Sequence, residues 1–114
     1  MIDVQAVSAL SALAHEDRLR AFRLLMKIGP DGLASGEVAE ALEIAPTRMS
    51  FHLAGLERSG LVEAKREGRR IIYSVCFERM RELLTFLTQD CCNGQPEICG
   101  GLIELEGRLE EQGC

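Results

Sequence analysis

The sequence predicts a mainly α protein of the α+β class, with seven elements in the order α-α-α-α-β-β-α. Three observations carry that expectation. Apolar residues recur at helical spacing over most of residues 4–59 and 77–90. Ala45-Pro46 separates two short helical patterns by a tight turn. Two strand-like runs then flank Glu67-Gly68-Arg69, a hairpin signal. Two helices around a short turn, followed by a hairpin, have the spacing of a helix-turn-helix with a wing.

Asp3 is a suitable cap for the first helix, where Val4, Val7, Leu10 or Ser11, and Ala14 recur at helical spacing. A second helix is expected over about 16–28, with Leu19, Phe22, Leu25 and Met26 as its buried stripe, ending at Gly29-Pro30. Ser35 is a good N-cap for a third, with Val38, Ala41 and Leu42 inward. Pro46 fits the first position of a fourth, which ends at Gly60, a residue suited to a left-handed stop. Strands are expected over Leu61–Arg66 and Arg70–Cys76, and a last helix over Phe77–Asp90 with Met80, Leu83, Leu84 and Leu87 on one face. Leu102, Leu105 and Leu109 give the acidic tail a short helical spacing. The chain therefore divides into residues 1–90, which hold the helix-turn-helix and hairpin patterns, and residues 91–114, a thiol-rich and acidic segment.

At 114 residues the chain fits one domain with a thin core, which a dimer would supplement. The net charge of −5 is unevenly spread. Residues 48–70 sum to +3 and residues 90–114 to −5. An acidic body with one basic stripe can dock that stripe on phosphates. Val4–Ala14 is apolar, but no Lys or Arg precedes Arg18, so the positive region of a secretion signal is missing. A cytoplasmic protein with reduced thiols is expected, and five cysteines, an odd number, argue against a closed disulfide framework.

On the fourth helix Met49, Leu53 and Leu56 share the core side. The opposite side carries Thr47, Phe51, Ala54 and Arg58, flanked by Arg48 and Ser50. In a major groove Thr47 and Ser50 can hydrogen-bond base edges or phosphate, Phe51 can press on a thymine methyl, and Arg48 and Arg58 can reach phosphate or guanine. Lys65, Arg66, Arg69 and Arg70 at the hairpin would grip the flanking backbone. His52 lies nearer the core side, as a satisfied and partly buried histidine.

Ala12-Leu13-Ala14-His15-Glu16-Asp17-Arg18-Leu19-Arg20, Met49-Ser50-Phe51-His52-Leu53-Ala54-Gly55-Leu56, Ser59-Gly60-Leu61-Val62 and Gly68-Arg69-Arg70-Ile71-Ile72-Tyr73 together resemble the ArsR/SmtB family of metal-responsive repressors. The resemblance covers about residues 5–90. It implies a winged-helix homodimer, paired through its first and last helices, that represses an operon until an inducer binds. Residues 47–51 match the recognition helix and Lys65–Arg70 the wing.

Inducer sites vary within that family. Ser35–Ile44 contains no cysteine and Phe77–Asp90 no histidine, so the zinc and cadmium sites that some members place on those helices have no counterpart. Cys91, Cys92 and Cys99 remain, within nine residues. Three thiolates neutralise a trivalent centre such as arsenite or antimonite, which favours three sulfur donors in a pyramid. Zinc would need a fourth donor, from Cys76 or Cys114. Adjacent cysteines can share one ion only where the helix unwinds, which Asn93-Gly94 and Pro96 allow. The pattern resembles arsenic-responsive members with an adjacent cysteine pair and a third shortly after. A second reading stands beside it: Cys91 follows Leu87 by four residues and extends the apolar stripe as a buried thiol. The expected function is a metalloid-responsive repressor that leaves its operator when trivalent arsenic or antimony binds Cys91, Cys92 and Cys99. The alternatives are a thiol-redox or persulfide sensor of the same fold, or a zinc or cadmium sensor. A thiol enzyme is disfavoured, because the cysteines follow a helix C-terminus, where the dipole opposes a thiolate.

Overall fold

The computed structural model describes residues 1–89. Cys91, Cys92, Cys99, the expected helical end at Asp90 and the tail from Leu102 lie outside them. The elements are α1 (Asp3–Leu13), α2 (Glu16–Ile28), β1 (Leu33–Ala34), α3 (Ser35–Leu42), α4 (Pro46–Arg58), β2 (Val62–Glu67), β3 (Arg70–Val75) and α5 (Phe77–Thr88). The winged helix-turn-helix is present, with one strand more than expected. Leu33 and Ala34 pair antiparallel with Tyr73 and Ile72, giving a three-stranded sheet in the order β1-β3-β2. Two residues are too few for alternation to show.

The core is assembled around α4. Met49, Leu53 and Leu56 on α4, Leu25 on α2, Val38 on α3 and Leu61 before β2 are fully buried. On α1 the inward residues are Ala6, Ala9 and Ala12, so α1 lies close on its neighbours. Its larger residues Val4, Val7 and Leu10 face outward. The buried stripe of α2 centres on Ala21 and Leu25, which leaves Leu19 at its edge and exposed. On α3, Ala39 is buried with Val38 and Ala41 is exposed. On α5, Leu83 is buried and Leu87 is 49% exposed, beyond the reach of the protomer's own core.

Helix ends also differ from expectation. Asp3 and Ser35 lie inside their helices and make no cap bond; the cap positions are Ile2 and Ala34. Their backbone N–H groups are accepted instead by the Gln5 and Glu37 side chains, at 3.0 and 2.8 Å. His15 caps α2, its Nδ1 accepting from the Asp17 N–H at 3.1 Å. The end of α4 forms a Schellman motif. Gly60 (φ 85°) donates to the Glu57 carbonyl at 2.9 Å and Leu61 to that of Leu56 at 3.2 Å. Leu56 and Leu61 close the motif as buried apolar partners.

The turn between α3 and α4 uses the same bonding without a glycine. Glu43 adopts φ 56°, donating to the Glu40 carbonyl, and Ile44 donates to that of Ala39. A left-handed L-residue costs about 1–2 kcal/mol. Glycine's extra freedom in the unfolded chain offsets about 0.4–1 kcal/mol of the relief. Glu43 is exposed. Glu43→Gly is therefore expected to stabilise the protein by about 0.5–1 kcal/mol, read as a raised urea midpoint with an unchanged m-value.

Candidate nucleic-acid interface

Burial of Met49, Leu53 and Leu56 turns the opposite side of α4 to solvent. Thr47, Arg48, Ser50 and Phe51 are all exposed near the N-terminal end of that helix. Phe51 is 60% exposed, an unusual position for a phenyl ring in a soluble core-forming helix. The Arg18 Cζ lies 5.7 Å from its centroid, and the His52 ring meets it edge-on. Ser50 Oγ is 2.9 Å from Ser35 Oγ, which ties α4 to the start of α3. Arg58 is exposed at the other end of α4, about 16 Å along the axis from Thr47. It lines a separate cleft with Ser8, Ser11 and Arg18.

The wing is the β2–β3 hairpin, with Glu67 opposite Arg70 and Gly68-Arg69 as its loop. Lys65, Arg66, Arg69 and Arg70 are all exposed along it. Arg66 donates to the Gly68 carbonyl at 3.2 Å, and Arg70 pairs with Glu37 of α3 at 2.6 Å. The second bond anchors the wing to the helix-turn-helix. Sequence spacing gave no signal for it, because the partners are 33 residues apart.

A chain of contacts between α2 and α4 was equally invisible in the sequence. Arg48 Nε donates to Asp17 Oδ2 at 3.0 Å, so one edge of this guanidinium is committed inside the protein. Arg18 Nε donates to His52 Nδ1 at 3.2 Å. The acceptor role of Nδ1 places the imidazole proton on Nε2, which faces Asp17 Oδ2 at 3.5 Å. His52 is 5% exposed, as a satisfied, buried histidine. Burial lowers its pKa below 6.5, with further lowering from His15 and Arg18 outweighing the opposing pull of Asp17. It is a neutral link between helices, and at 3.5 Å its Nε2 is in polar contact with Asp17 without an ion pair.

His15, Asp17 and His52 bring ligand atoms within 4.8 Å of one another. The set is poorly suited to a cation. His15 Nδ1 and His52 Nδ1 each accept a hydrogen bond, Asp17 accepts from Arg48, and two guanidiniums stand beside it. Cys76, the one cysteine among the described residues, is buried at the start of α5.

The family described as "Helix-turn-helix domain" matches residues 13–64, from the end of α1 into β2. The HTH-type transcriptional regulator YgaV of Escherichia coli (strain K12) is 31% identical over 88 residues, which are 77% of this chain and 87% of that protein. This chain belongs to the ArsR-type winged helix-turn-helix transcriptional regulators. Among solved structures, the homodimeric winged helix-turn-helix domain of Mb0332 from Mycobacterium bovis, a possible ArsR-family regulator, is 30% identical. It covers 80% of this chain and 81% of its own, with a TM-score of 0.61. The antimony-specific transcriptional repressor AntR is 29% identical over 71% of this chain and 72% of its own, with a TM-score of 0.58. In this ArsR-type regulator no helix among the described residues is long and apolar enough to cross a membrane.

The sign of the His52 shift sets a pH dependence. A lowered folded-state pKa means that the unfolded chain binds more protons below pH 6.5, so stability is present above that value. It is lost as pH falls from 6.5 through the lower folded-state value. His52→Gln, which can still accept from Arg18, is expected to flatten this fall. Urea midpoints of both proteins measured from pH 7.5 to 5 check it: parallel curves would contradict the assignment.

Proposed function

We propose that this chain is a metalloid-responsive repressor that binds operator DNA as a homodimer. It releases the DNA when trivalent arsenic or antimony is bound by Cys91, Cys92 and Cys99. The observation that carries the DNA reading is the exposed polar and aromatic face of α4, with a basic hairpin anchored beside it by Arg70 and Glu37. Thr47, Ser50, Phe51 and the free edge of Arg48 supply base and phosphate contacts, and Lys65, Arg66, Arg69 and Arg70 supply backbone contacts. The metalloid reading is supported by the three thiols in nine residues and by similarity to a repressor described as antimony-specific.

The dimer reading is supported by apolar surface that the protomer does not cover. Ile2, Val4, Val7 and Leu10 on or beside α1 are 42–74% exposed, and Leu87 on α5 is 49% exposed. α1 and α5 are in contact, so their outward residues can share one seam. Two recognition helices must stand about 34–36 Å apart to enter successive major grooves. An ion gathered just beyond α5 can alter that spacing through the seam. A coupling of about 1–3 kcal/mol changes DNA affinity by roughly 5- to 150-fold.

A second reading, a thiol-redox regulator of the same fold, is supported by the same clustered thiols, since thiolates are redox-reactive. There an oxidant takes two electrons from a thiol pair, two protons leave, and the new sulfur–sulfur bond changes the dimer.

Val7→Glu is expected to shift the protein to monomer in sedimentation and to weaken operator binding at least tenfold. Unchanged sedimentation would remove α1 from the seam. In gel shifts under reducing conditions, arsenite is expected to release the wild-type protein and to leave Cys92→Ser bound. Release of the wild-type protein by oxidant alone, with arsenite inert, selects the redox reading. Release of Cys92→Ser by arsenite would remove the three-thiol assignment.

A further inference from the structure

The cleft between α1, α2 and the C-terminal turn of α4 is not used by the groove-reading face. It has a volume of about 230 Å³ and is lined by Ser8, Ser11, Arg18, Gly55, Arg58 and Ser59, with Ala12 at its wall. Among the described residues no carboxylate lines it. Neither guanidinium has an acidic partner among the described residues, in contrast to Arg48 and Arg70. Arg48 and Arg70 are paired with Asp17 and Glu37. Arg18 instead gives its Nε to the neutral His52 and lies near the Phe51 ring. Neither neighbour cancels its charge.

Gly55 is what allows Arg18 to lie there. A methyl group on Gly55 would sit 2.6 Å from the Arg18 Cζ and 2.7 Å from one terminal nitrogen. The guanidinium is therefore laid directly on the α4 backbone, half-buried, with its terminal nitrogens at the cleft. Ser59 contributes shape more than bonding, since its hydroxyl donates to the Leu56 carbonyl at 2.7 Å. The Ser8 and Ser11 hydroxyls are exposed on α1 and available as donors.

We propose that this cleft binds a tetrahedral oxyanion of the phosphate class, with Arg18 and Arg58 supplying charge and Ser8 and Ser11 donating hydrogen bonds. Two positive charges match the dianion. The C-terminal end of α4 opposes an anion by the equivalent of about half a charge, and two full charges outweigh it. Guanidinium forks suit tetrahedral oxygens in a way that ammonium groups do not. The oxyanion is either free phosphate or a backbone phosphate of bound DNA, and the two sources are separable.

Inorganic phosphate titrated into the isotopically labelled full chain, against chloride at equal ionic strength, is expected to shift the amides of residues 8–12 and 55–59. Arg58→Gln, a change at an exposed residue, is expected to weaken phosphate binding at least tenfold, while Lys65→Gln on the wing leaves it unchanged. Gly55→Ala keeps every charge and displaces only Arg18. If a DNA phosphate occupies the cleft, Gly55→Ala is expected to shallow the salt dependence of duplex binding by about one unit. A response to phosphate with an unchanged salt slope identifies the free ion as the source. Absence of duplex binding would defeat the DNA reading and leave the phosphate titration standing. The proposal is overturned if phosphate moves no cleft amide beyond the chloride control and Gly55→Ala keeps the wild-type slope.

Discussion

The seating of α4 in the core governs the rest of the molecule. Met49, Leu53 and Leu56 are each fully buried, and burial of such a side chain is worth about 1.5–3 kcal/mol. The ion pair between Arg48 and Asp17 has a partner that is 57% exposed, and a pair of that kind contributes at most about 1 kcal/mol. Apolar burial therefore sets which way the helix is turned. The polar contacts adjust side chains on a surface already chosen. Thr47, Ser50 and Phe51 are displayed because their neighbours one step around the helix are not free to turn outward.

The contacts of Asp17, Arg18, Arg48 and His52 act on that surface. Asp17 holds one edge of Arg48 and leaves the other to solvent. His52, neutral and buried, receives Arg18 without cancelling its charge. Arg48 and Arg18 are thus held at different points by one short network, Arg48 on the exposed face of α4 and Arg18 at the cleft beside Gly55. The Glu37–Arg70 pair adds a side-chain tie near the tip of the hairpin, whose base is held by the strand ladder and by the buried Val62, Tyr73 and Val75.

Much of this was legible in the sequence. The order of helices, the Pro46 start and Gly60 stop of α4, the hairpin and the outward face of α4 follow from periodicity and turn chemistry, because those signals are local. Reading failed where a decision belonged to distant partners. β1 is too short to alternate and exists through its pairing with β3. The outward apolar residues of α1 look like a core stripe until Ala6, Ala9 and Ala12 are seen to take that place. Glu37 caps α3 and pairs with Arg70 at once, and Arg18 finds His52 across 34 residues. No spacing rule connects them. Cys91, Cys92 and Cys99 lie beyond the described residues, and their role rests on the chemistry of thiols and on resemblance.

The strand order has a consequence for how the protein meets its neighbours. With β1 on one side of β3, the open side of the sheet falls to β2, whose residues after Val62 are all exposed. An open strand edge invites pairing with another chain. Here it presents Glu63, Lys65, Arg66 and Glu67, charges of both signs that make edge-to-edge stacking unfavourable. The side chains suited to gripping a polyanion thereby also protect the sheet from adding strands and growing into aggregates.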